Sequence, residues 1–64
     1  MYRTIITEAT GVTDPAMLKR IEDYMRDVIF HSTLDWQTRA QLKRAAKTAQ
    51  REIPMLDAMI GRAA

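Results

Sequence analysis

At 64 residues the chain has room for one small domain, near the lower limit of what a single hydrophobic core stabilises. It has no cysteine and one histidine, His31, which excludes disulfides, thiolate metal sites and any histidine cluster. The net charge of +2 argues against a general polyanion binder, and the lack of a long apolar run argues against a membrane span or signal peptide, so a cytoplasmic protein is expected.

Charge is unevenly distributed. Residues 1–35 carry four basic and six acidic side chains, whereas residues 36–64 carry six basic and two acidic ones. Such polarity favours docking in a defined orientation. Many of the apolar residues are alanines, and five are methionines, which make a soft interior or interface.

The first segment, Tyr2-Arg3-Thr4-Ile5-Ile6-Thr7-Glu8-Ala9-Thr10, is rich in β-branched side chains, whose restricted χ1 favours extended backbone. The expectation is an extended or short β N-terminal arm over residues 1–13, punctuated by Gly11. Its backbone groups would need partners, and no second strand is visible. Fraying into solvent and strand pairing between two chains both answer that problem.

Thr13-Asp14-Pro15 is a helix start: Asp14 can accept from first-turn amides, and Pro15 sits where a missing N–H costs nothing. Met17, Leu18, Ile21, Tyr24, Met25, Val28 and Ile29 then recur at three- and four-residue steps, predicting a helix over 14–30 with Phe30 on its polar side. His31-Ser32-Thr33-Leu34-Asp35 breaks the period and offers several caps. A second helix is predicted over 35–52, folding back on the first as an antiparallel hairpin. Pro54 either kinks this helix or opens a short third one over 54–60, carrying Met55, Leu56, Met59 and Ile60 and stopping at Gly61. The fold expected is therefore all-α, a helical hairpin plus a short C-terminal helix.

Arg39, Lys43, Lys47 and Arg51 stand at i, i+4 spacing beside the apolar set Leu42, Ala45, Ala46, Ala49 and Ile53. A helix of this kind packs with one side and presents a cationic strip with the other, suited to a protein partner with an acidic surface. The plainer reading is a solvated face with Glu52 and the acidic first helix as neighbours. As a nucleic-acid signal the strip is weak, because it lacks interleaved aromatics and the chain is barely basic. Phe30, Trp36 and Tyr24 gather near the predicted turn, either as a core plug or, for Trp36, as an anchor for a partner.

Asp23, Asp27, His31 and Asp35 step by four, but the turn before Asp35 breaks their convergence, so no metal or cofactor is expected. Nothing supplies a catalytic constellation either, and the chain is read as non-enzymatic. The small core, the unpaired arm and the methionines point to a homodimer.

The run Ile29-Phe30-His31-Ser32-Thr33-Leu34-Asp35-Trp36-Gln37-Thr38-Arg39 resembles a stretch in small proteins of tailed phages and prophages. There a similar run ends one helix and leads into an Arg/Ala-rich one; the likeness covers about residues 20–50 and carries no functional residue across. It implies a phage protein in the host bacterial cytosol that acts by occupying a host protein's surface. Anti-CRISPR inhibitors of CRISPR–Cas complexes belong to that class. The sequence reading is thus a protein-binding module using Trp36, Arg39, Lys43, Lys47 and Arg51, with a small nucleic-acid-binding protein as the alternative.

Overall fold

A computed structural model describes residues 2–63, the side chains of Arg62 and Ala63 excepted. Three α-helices are present: α1 over Tyr2–Thr10, α2 over Pro15–Tyr24 and α3 over Arg39–Ala63. A π-helical segment, Met25–Phe30, extends α2, and a 3₁₀ turn, Leu34–Trp36, precedes α3. No strand occurs among the described residues.

The extended N-terminal arm is overturned, because Tyr2–Thr10 is helical. Tyr2, Ile5, Ile6 and Ala9 lie on one face at helical spacing, and that face packs into the core. Ile5 and Ile6 are both buried, together about 4 kcal/mol, which outweighs the roughly 2 kcal/mol by which the isoleucines and threonines of this segment together disfavour helix. The threonines find local partners: the Thr10 hydroxyl donates to the Ile6 carbonyl (2.7 Å) and that of Thr7 to the Val12 carbonyl (2.8 Å). Gly11, at φ 77°, ends the helix by donating its N–H to the Thr7 carbonyl (2.8 Å), a left-handed cap that a side chain would strain. A helix also satisfies its own backbone, which a lone strand could not.

At α2 the predicted start is found: Asp14 Oδ2 accepts from the Met17 N–H (3.1 Å), and Pro15 opens the helix. Leu18, Ile21 and Met25 are buried as the apolar stripe requires, but Val28 is exposed while Phe30 packs against the core. The π segment explains both departures. Its wider turn advances about 82° per residue instead of 100°, which brings Phe30 to within roughly 50° of Met25 and swings Val28 well over 100° away. His31, at φ 56° and ψ 23°, terminates the segment in the left-handed region, where histidine is one of the more tolerated residues.

The second helix starts later than predicted. Asp35 lies in the 3₁₀ turn, where its N–H is held by the Thr33 hydroxyl, and α3 begins at Arg39 behind a capping box. Gln41 Oε1 accepts from the Thr38 N–H (2.9 Å), and the Gln41 N–H returns a bond to the Thr38 hydroxyl (3.1 Å). Nor does the helix break at Pro54 or stop at Gly61, so the expected separate third helix is the continuation of α3. Pro54 removes the donor for the Gln50 carbonyl, but both residues face outward, where water can serve that carbonyl.

Packing centres on α3. Leu42, Ala45, Ala46, Ala49 and Ile53 form its buried side, and α1 covers it more extensively than α2 does. The small alanines let α1 come close. Leu34, buried in the 3₁₀ turn, completes the core between α2 and α3 in chain order.

Candidate cationic interface

The distribution of ion pairs decides which charges are available to a partner. Arg3 binds Glu22 (2.8 Å), Lys19 binds Asp23 (3.0 Å) and Arg20 binds Asp57 (2.7 Å). Arg26 spans Asp23 and Asp27 at 3.1 and 3.0 Å. Arg39 binds Glu8 of α1 (3.1 Å), so the first member of the predicted strip helps to hold α1. Lys43, Arg44, Lys47 and Arg51 make no ion pair among the described residues.

The acidic neighbours named for the strip are engaged elsewhere. Glu52 accepts a hydrogen bond from the Tyr24 hydroxyl, while the acids of α2 serve Arg3, Lys19 and Arg26. Asp14 caps α2. The protonation shifts follow this pairing. Hydrogen bonding from Lys19, helped by the charges of Lys19 and Arg26 against some desolvation, holds Asp23 below its ordinary range. Arg20 does the same for Asp57. The Glu52 carboxylate, with some desolvation, raises the Tyr24 phenol.

Lys43, Arg44, Lys47 and Arg51 occupy a sector of ~100° almost opposite the buried side of α3. Arg44, Lys47 and Arg51 are exposed and Lys43 is half-buried. Lys47 has like charges at i−4, i+4 and i−3, each worth a few tenths of a kcal/mol against the helix. Arg44 is the residue that strict four-residue spacing misses. It lines a shallow groove with Ile29, Phe30, Gln41, Ala45 and Thr48. Two arginines and two lysines together offer forked donors and point charges to carboxylates or phosphates.

The aromatic corner does not form. Tyr24 is tied to Glu52, Phe30 packs on the core, and Trp36 is 80% exposed in the turn leading into α3. Leu34 takes the plugging role considered for Trp36. The indole is thus left in water three residues ahead of Arg39.

The acidic ladder is dispersed. Asp23 and Asp27 are held by Arg26, His31 ends the π segment and Asp35 lies in the following turn. No group of three or more His, Asp or Glu among the described residues is placed to hold a metal. No helix of the described residues is long and apolar enough to cross a membrane.

The chain matches no family model, no curated protein and no solved structure.

Proposed function

We propose that the chain is a non-enzymatic binding module that docks on the acidic surface of another protein. The contact is made by Lys43, Arg44, Lys47 and Arg51, with Trp36 as the aromatic anchor. One observation carries this reading: the cations without an ion-pair partner among the described residues all fall within a single nine-residue stretch of α3. Arg39 contributes mainly by fixing α1. A protein partner is favoured over nucleic acid because the row is short and the rest of the chain carries more acidic than basic side chains, which a polyanion would meet with repulsion.

In the same reading α2 runs antiparallel to α3 as the two arms of a hairpin. Support comes from Arg20–Asp57 and Tyr24–Glu52, contacts that advance along α2 while receding along α3. The chain works in the cytoplasm as a homodimer. The likeness of residues 29–39 to small phage proteins supports a phage-encoded inhibitor of a host complex, CRISPR–Cas among the candidates.

Capture from nuclease-treated bacterial lysate on the immobilised chain tests this reading. A partner protein held by wild type should be lost with Lys43→Glu/Lys47→Glu and weakened with Trp36→Ala. Binding to generic duplex DNA that collapses between low and moderate salt, with no such protein captured, would replace it with the nucleic-acid reading.

A further inference from the structure

We infer that the C-terminal part of α3 is the surface on which a second copy of this chain docks. The inference builds on the homodimer proposed above and assigns it a face. On α3, Leu42, Ala46, Ala49, Ile53, Leu56 and Ile60 follow one another at alternating four- and three-residue steps. This spacing makes a continuous seam for another helix. The chain's own α1 and α2 bury the seam through Ile53, but Leu56 is 40% and Ile60 65% exposed.

Met55, Met59 and Val28 extend the uncovered area, with Met59 also 65% exposed. Together the five side chains show roughly 500 Å² to solvent, toward the upper end of what a small monomer tolerates in one patch. The strand-pairing route to a dimer is closed, since Ile5 and Ile6 lie in the core.

The balance of charge around the patch points to a second copy as its occupant, and the area is enough for a weak dimer. The acids around the patch are each held by a cation, Asp57 by Arg20, Asp27 by Arg26 and Asp23 by Lys19 and Arg26, so these paired charges number three of each sign. Two such rims meet without strong repulsion, and they offer no excess of either sign to select a charged partner. The cationic row, by contrast, would repel its own copy. Facing patches would bury about 1,000 Å² in total, the lower bound for a specific interface, which makes a weak, concentration-dependent dimer. A two-fold contact also suits the seam, because each helix supplies the apolar spacing that the other needs. The two methionines adapt to the imperfect fit of so small an interface.

Sedimentation velocity across 5–500 μM tests the assignment, on wild type, Ile60→Glu and Lys43→Glu/Lys47→Glu. Wild type should move from the 7.4 kDa monomer toward twice that mass. Ile60→Glu should stay monomeric with unchanged helical circular dichroism, and the double reversal should dimerise as wild type does. Because the chain has no cysteine, Met59→Cys gives an independent reading: mild oxidation should cross-link it at least tenfold faster than Lys47→Cys. A wild type monomeric throughout overturns self-association itself. A dimer that persists in Ile60→Glu, with Met59→Cys no faster than the control, overturns this face and leaves self-association standing. Neither failure touches binding by the cationic row, which is read separately by lysate capture.

Discussion

Replacing Lys47 by glutamate should stabilise the fold, although it places an acid in the middle of a cationic row. Lys47 is exposed and makes no ion pair among the described residues, so the substitution removes no packing and breaks no bond. Lysine and glutamate have nearly equal helix propensity. What changes is the sign of three helical neighbour pairs, with Lys43 at i−4, Arg44 at i−3 and Arg51 at i+4. Each passes from a cost of a few tenths of a kcal/mol to a comparable gain, a combined swing of about 1 kcal/mol after solvent screening. For a domain of this size that raises Tm by roughly 4–8 °C. Melting followed by circular dichroism at low ionic strength should show the rise, and molar salt should remove most of it. An unchanged or lower Tm at low salt would refute the reasoning, because Lys47 would then have a stabilising partner within the chain.

Ile21 has no exposure, and Ile21→Asp would bury a carboxylate without a partner; loss of more than ~4 kcal/mol should abolish the cooperative melt, whereas retained cooperativity would contradict the core. Gly11→Ala meets no neighbouring atom but must hold φ 77°, so it should lower unfolding free energy by about 1 kcal/mol in urea titration, and a neutral outcome would contradict the left-handed cap of α1. Asp23 and Asp57 titrate below their ordinary range in the folded chain, so their stabilisation is complete above the unfolded carboxylate value and is lost as pH falls through the folded values. Tyr24 is raised, so its contribution is complete below the unfolded tyrosine value and disappears as pH rises through the folded one; Tyr24→Phe should flatten that alkaline loss.

Signals that depend on neighbours in sequence were readable, and those that depend on distant neighbours were not. The start of α2 at Asp14-Pro15 needs only local chemistry, and so does its stripe through Met25. Local chemistry also held the capping box of Thr38 and Gln41, which the more prominent Asp35 obscured. The β-branched propensity of α1 points to a strand, and the opposing Tyr2, Ile5, Ile6, Ala9 face gains its weight only once α3 covers it. The exchange of Phe30 for Val28 comes from a π step that a fixed 100° period cannot register. Pro54 inside α3 is tolerated because it faces water, a fact of packing rather than of composition. At the candidate site, the row of Lys43, Lys47 and Arg51 could be read from spacing alone. Its lack of counter-charges could not, because that depends on Glu52 reaching Tyr24 and on the acids of α2 finding other cations.

Trp36 is the only tryptophan, so 5-fluorotryptophan labelling places a single ¹⁹F probe at the proposed anchor. The most direct measurement is its ¹⁹F spectrum in nuclease-treated bacterial lysate, compared between wild type and Lys43→Glu/Lys47→Glu. Engagement of a large partner should broaden the wild-type resonance, with sharpness restored by added salt and present from the start in the double reversal. Equally sharp resonances in both chains, matching those in buffer, would contradict the claim that Trp36 and the cationic face of α3 form a binding surface.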